Sequence, residues 1–200
     1  MDALRVSDRP AGRLGGERLR TLLVLPVTAI VVAIVAVLVN QPAGGNGLTS
    51  ITLTGDTSGA APVAGAVPPD FTATTVDGTT VSLSSLRGQP VWLTFGASWC
   101  SDCRSEAPDL QATYAKFKDR GLVVLGVFID EDAAAVSDYA GRVGFTFPMV
   151  ADPSTRIASR YHTLGIPTHF FIGRDGVIRE VRLGGLQPAE MERLVTGLLE

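Results

Sequence analysis

The chain has 200 residues, 46% of them apolar, and a net charge of −3. That length suits one ordinary domain plus a further segment, and the mildly acidic balance gives no reason to expect a nucleic-acid partner. Only two cysteines are present, too few for a disulfide-stapled scaffold or for a structural zinc site, which needs about four ligands.

Residues 1–20 carry five arginines (Arg5, Arg9, Arg13, Arg18, Arg20) against three acids (Asp2, Asp8, Glu17). Thr21–Val39 follows without a single charge. As a helix it would span roughly 28 Å, close to the hydrocarbon thickness of a bilayer. Pro26 falls near its start, where a helix tolerates it. A basic flank stays cytoplasmic, so the rest of the chain is expected outside. A cleaved signal peptide has a shorter apolar core, about 7–15 residues, with a small-x-small site close behind. Here the run is longer and the cleanest such site, Ala64-Gly65-Ala66, is distant. The segment therefore reads as a single-pass signal anchor, and with no cysteine after it a lipoprotein anchor is excluded. Residues 40–66 are rich in Gly, Ala, Pro, Ser and Thr, with Asp56 the only charge, and read as a flexible linker.

From about Val67 to Glu200 the pattern is that of a folded domain. Val76-Asp77-Gly78-Thr79 predicts a β-hairpin, and Ser82–Gly88 a short helical turn closed by glycine. Val91–Phe95 is a short buried-strand pattern. After Cys100, residues Ala107, Leu110, Tyr114 and Phe117 recur at helical spacing until Gly121. Leu122–Ile129 reads as a central parallel strand, apolar on both faces. Ala133–Val143 predicts a second helix, Phe147–Val150 a short strand, and Ser154–Tyr161 a third helix capped by Ser154. Strands over Thr168–Ile172 and Val177–Leu183 precede a last helix, Pro188–Leu199, with proline in its first turn. The sum is an α/β domain with a mixed central sheet and helices on both faces.

The chemistry concentrates at Trp99-Cys100-Ser101-Asp102-Cys103-Arg104. A strand ends, and the first cysteine opens a helix. The unpaired N–H groups and partial positive charge of that terminus favour a thiolate. Two intervening residues return Cys103 beneath Cys100 after one turn. Cys100 is then the exposed nucleophile and Cys103 the sheltered resolving thiol of thiol–disulfide exchange. The dithiol/disulfide itself is the redox group, so no cofactor is needed. A static disulfide is the alternative, but so small a ring would stabilise the fold little. Trp99 beside the pair fits a lid and docking surface. Asp102 places a negative charge next to Cys100, which opposes the thiolate and predicts a more reducing couple than a proline there.

Three stretches resemble the thioredoxin superfamily, specifically the TlpA/ResA-like membrane-anchored reductases. They are Pro69-Asp70-Phe71 with Val81–Gly88, Trp99–Pro108, and Gly165-Ile166-Pro167-Thr168-His169-Phe170-Phe171-Ile172. The resemblance covers about Val67–Glu200 and implies a thioredoxin-like fold. It implies that Pro167 is cis and faces the disulfide, with Trp99, Ile166 and Thr168 beside it at the substrate. It places an acid at Glu106, where a carboxylate near the sulfurs can shuttle protons; a solvated helix glutamate is the plainer alternative. Thioredoxin proper has a buried acid six residues before the first cysteine, and here that position is Thr94. The implied partners are a disulfide-containing protein, as in cytochrome c maturation, and a membrane thiol that donates electrons.

Other functions are weaker. Peroxiredoxins share the Pro-Asp-Phe … Ser-Leu-Arg-Gly opening, but Leu93 and Ala97 stand where their proline and threonine or serine precede the reactive cysteine. Copper-delivery relatives use Cys-x-x-x-Cys with a histidine, one residue more than here, so no metal is expected. His162 and His169 read as ordinary surface positions, and Asp130-Glu131-Asp132 as a solvated loop and helix start.

Overall fold

Val91–Gly96 (β4) is buried along its whole length and forms the middle of a five-stranded sheet. The computed structural model describes residues 30, 32–33, 50–54 and 59–200. The expected anchor lies mostly outside these residues, as do the basic tail and most of the first half of the linker. Of the anchor, Ile30, Val32 and Ala33 are helical. Among the described residues no helix is long and apolar enough to cross a membrane. Every strand and helix named below lies in one unit, Asn46–Glu200.

Val123–Ile129 (β5) runs parallel to β4, and Met149–Asp152 (β6) parallel to β5. On the other side of β4, Thr168–Ile172 (β7) is antiparallel, and Ile178–Leu183 (β8) pairs antiparallel with it. Side chains alternate between the two faces of the sheet. Trp92, Val124, Phe128 and Phe171 enter one core with Leu110 and Phe117 of helix α1 (Ser101–Phe117). Helix α2 (Ala133–Val143) adds Val136 and Tyr139, and α4 (Pro188–Leu199) adds Met191 and Leu194. Leu93, Phe95, Leu125 and Phe170 enter the opposite core with Ile157 of α3 (Arg156–Arg160) and with Phe71. Thr94 and His169 are cross-strand partners on the face shared with Trp92 and α1. This alternation therefore aims both at the underside of α1.

The expected hairpin forms from β2 (Phe71–Thr74) and β3 (Thr80–Ser82), with Gly78 at φ +87° in the turn, where a side chain would be strained. The helix after Cys100 ends through a 3-10 turn, Lys118–Arg120, and Gly121 at φ +94°.

Three expectations need correction. The linker is not featureless: Ile51–Leu53 (β1) pairs antiparallel with β2. Ile51 and Leu53 alternate around Thr52 and pack on the second core, an alternation that a small-residue average hides. Arg156 and Arg160 donate to the carbonyls of Ile51 and Thr54 at 3.1 and 2.8 Å. Residues 65–66 also leave the linker, exchanging backbone hydrogen bonds with Ile178. The third helix is shorter than expected and Ser154 does not cap it. Strand β6 ends two residues later than the apolar run suggested, so the carboxylate of buried Asp152 accepts from the N–H groups of Arg156, Ile157 and Ala158 at 2.7–2.9 Å.

Candidate active site

Cys100 is the N-cap of α1, and its Sγ accepts the Cys103 N–H at 3.1 Å. The two sulfurs are bonded, with Cα atoms 5.3 Å apart. A sulfur that accepts a helix N–H sits where negative charge is best accommodated. In this disulfide state the cysteines are about equally sheltered, at 7% and 8% exposure. The expected contrast between an open and a covered sulfur is thus not one of area. Ala97 is buried with them, and Ile129 and Ile166 pack over the group.

The difference between the sulfurs lies in what each faces. Cys100 Sγ is 3.8 Å from the carbonyl oxygen of Ile166. The Ile166–Pro167 peptide is cis. Its segment is held by the Thr168 hydroxyl, which donates to Gly165 at 2.6 Å, and by the Gly184 N–H, which donates to Pro167 at 2.8 Å. Trp99, beside Cys100, is 54% exposed. Asp102 is exposed in the first turn, where its carboxylate faces the Ser101 hydroxyl at 3.4 Å.

Cys103 lines a cavity of about 20 Å³ together with Thr94, Gly96, Glu106, Tyr139 and a wall of Leu110 and phenylalanines. That is space for roughly one water molecule. Glu106 is 6% exposed, not a solvated helix residue, and its Oε2 accepts the Leu186 N–H at 3.0 Å. His169 is fully buried behind it, contrary to the surface expectation, because its position in β7 alternates onto the α1 face. Trp92 Nε1 donates to His169 Nδ1 at 3.3 Å, and Thr94 Oγ1 lies 3.0 Å from the same nitrogen. The hydroxyl of Tyr139 is buried without a hydrogen-bond partner, and burial pushes its phenol above the ordinary value. His162 is exposed and bonds Gly59, away from this group. Among the described residues no three His, Cys, Asp or Glu side chains gather to hold a metal ion.

Sequence reasoning also missed Glu131. It is 9% exposed, and its carboxylate accepts from both the N–H (2.7 Å) and the hydroxyl of Ser98. Arg104 donates to the Ser98 carbonyl at 3.3 Å. The loop carrying Trp99 and Cys100 is therefore clamped from the loop after β5 and from α1. Position could have revealed this: Glu131 follows the carboxyl end of a parallel strand next to β4, where sites in such sheets assemble. His169 could have been found as the one ionisable group inside the apolar run of β7.

Residues 64–181 match the model of the AhpC/TSA family. Thiol-disulfide oxidoreductase ResA of Geobacillus kaustophilus is 33% identical over 129 residues, 64% of this chain and 74% of that one. The chain belongs to the AhpC/TSA family, as a TlpA/ResA-like thiol–disulfide oxidoreductase. Solved structures agree on the fold. A thiol:disulfide interchange protein described as DsbE, from Chlorobium tepidum, superposes with a TM-score of 0.64 at 29% identity, covering 70% of this chain and all of that one. A secreted Mycobacterium tuberculosis disulfide oxidoreductase homologous to DsbE gives 0.58 at 26% identity, covering 64% and 95%. The thioredoxin-like fold and the thiol–disulfide oxidoreductase class are thereby established for this chain. Family membership also makes disulfide-containing proteins its substrates.

Proposed function

We propose that this oxidoreductase works outside the cytoplasm as a reductase of protein disulfides, tethered by Thr21–Val39 with its basic tail inside. The observation that carries the reading is the N-cap placement of Cys100, with its sulfur bonded to Cys103 and facing the cis Ile166–Pro167 segment. In the reduced enzyme the Cys100 thiolate attacks one sulfur of a substrate disulfide. The substrate's S–S bond breaks, its other sulfur leaves as a thiolate, and a mixed disulfide forms. Cys103 gives its proton to Glu106 and attacks Cys100 Sγ. The substrate's second thiolate departs, and the electron pair lost by the two cysteines is the pair gained by the substrate.

Trp99, Ile166, Pro167 and Thr168 are the surface on which the substrate strand is held, and the Ile166 carbonyl gives the Cys100 thiol a place to direct its proton. No cofactor beyond the Cys100–Cys103 disulfide is required. The compartment is oxidising, so the enzyme is recharged by a membrane thiol carrier. The secreted relative of DsbE type supports an extracytoplasmic setting, and an apocytochrome c whose haem-binding cysteines must be reduced is the kind of client proposed here.

The reading is tested by mixing the reduced full-length protein, in detergent, with insulin and with hydrogen peroxide. Disulfide reduction that disappears in Cys100→Ser, a loss of about 10³-fold or more, is the expected result. Peroxide turnover with no disulfide reduction would replace the reading with a peroxidase.

A further inference from the structure

His169 is the buried group that the exchange reaction does not yet use. Its Nε2 has no hydrogen-bond partner, yet it lies 3.5 Å from Glu106 Oε2, with both side chains sealed from solvent. An unpaired buried polar atom is costly and calls for an explanation. The indole N–H of Trp92 can only donate, so Nδ1 of His169 is an acceptor and the ring proton sits on Nε2. That N–H stands next to the one carboxylate oxygen that the Leu186 N–H also holds.

We infer that His169 is a positioning residue for thiol–disulfide exchange, one that holds the Glu106 carboxylate aimed at the cavity it shares with Cys103. The inference rests on the proton-accepting role of Glu106 proposed above. In the resolving step the Cys103 S–H bond breaks, its proton passes to Glu106, and its electron pair forms the bond to Cys100 Sγ. The bond from Cys100 to substrate breaks, and the substrate sulfur leaves with that pair. His169 therefore sets whether that carboxylate stands where the Cys103 proton can reach it. Thr94, at the position where thioredoxin proper keeps a buried acid, is 3.0 Å from Nδ1 and fixes the ring from the other side.

The other titratable groups around Glu106 are Cys103 and Tyr139 across the cavity and Asp102 one turn earlier, near Gly185. Arg104, Glu131 and Arg142 act on Tyr139 from the flank.

The test uses the reduced full-length protein and the aromatic disulfide 5,5′-dithiobis(2-nitrobenzoate), followed by stopped flow from acid to mildly alkaline pH. The first release of thionitrobenzoate reports attack by Cys100. The second reports attack by Cys103, and Cys103→Ser abolishes it. In His169→Phe the second phase is expected to slow by about tenfold, with the first phase unchanged. His169→Gln, which keeps an N–H donor at this position, is expected to bring most of the rate back. A His169→Phe profile that overlays the unaltered one, while Glu106→Gln shifts it, overturns the role of His169 alone. A Glu106→Gln profile that does not move overturns the role of Glu106 and with it the inference. Equal slowing of both phases at every pH, unrelieved by glutamine, also overturns it, as a purely structural effect. Should His169→Phe not fold, Trp92→Phe combined with Thr94→Val removes both groups that hold Nδ1 and is expected to slow the second phase in the same way; no slowing there counts against the inference.

Discussion

The two sides of the Cys100–Cys103 disulfide are built from opposite materials. The front is apolar and open: Trp99 is exposed, and the cis Ile166–Pro167 segment lies alongside. The rear is polar and closed: Glu106, His169, Thr94 and Tyr139 are all buried around one small cavity and its margin. Soluble proteins usually arrange these the other way, with polar groups outside. The inversion separates two tasks. In the reaction proposed above, the front governs which disulfide reaches Cys100, through contact area that water leaves cheaply, and the rear governs the proton on Cys103, through groups from which solvent is excluded. Substitutions that affect one side should therefore leave the other's readout intact.

The largest effect is expected where the two sides are joined, at Glu131. Glu131→Ala leaves the Ser98 N–H and hydroxyl without their acceptor, at a cost of about 2–3 kcal/mol by thermal or denaturant unfolding. The freed loop should slow both protein and small-molecule disulfide reduction, so a selective loss of only one would break the two-sided account. Next in size is Trp99→Ala. It should raise KM for a protein disulfide about tenfold, near 1.4 kcal/mol, while reduction of a small aromatic disulfide stays within about twofold.

Tyr139→Phe probes the rear. The phenol is held above its ordinary value chiefly by burial, opposed by Arg104 and reinforced by Glu106 and Glu131. A phenol that ionises later folded than unfolded leaves stability constant below about pH 10 and erodes it above, as the unfolded chain loses the proton first. Tyr139→Phe should therefore be as stable or up to about 1 kcal/mol more stable at neutral pH, and should lose less stability on the alkaline side. The comparison is the difference between the two proteins, because buried Tyr161 contributes a similar erosion to both. The smallest effect belongs to Asp102, exposed in the first turn of α1. Asp102→Pro removes a negative charge beside Cys100 and should make the couple more oxidising by about 5–20 mV. A more reducing mutant contradicts the role assigned to that charge.

The front of the site was legible in the sequence because its signals are local. Cys100 and Cys103 are three apart on one helix, and the strand before them is a continuous apolar run. Helices α2 and α4 and strand β7 fall where their patterns place them, since each has a full turn of periodicity or a run bounded by clear turn residues. The rear was less legible because it is assembled across the sheet. Glu131 and Ser98 are 33 residues apart, and Trp92 and His169 are 77 apart. A glutamate after a strand has the same local appearance whether it is solvated or clamps a loop. His169 looks like a surface position until the register with Thr94 fixes which face it takes. Strand β1 was hidden for a related reason: three residues of alternation inside a Gly- and Thr-rich stretch are too short to stand out without their partner strand.

The reductase assignment stands or falls on the driving force stored in one sulfur–sulfur bond. The midpoint potential of Cys100–Cys103, measured in the full-length protein against a glutathione or dithiothreitol series at pH 7, reads it directly. A value near that of thioredoxin, about −270 mV, is expected for a protein that delivers electrons to other disulfides. A value near about −120 mV, characteristic of a strong oxidant, would reverse the direction of electron flow proposed for this protein.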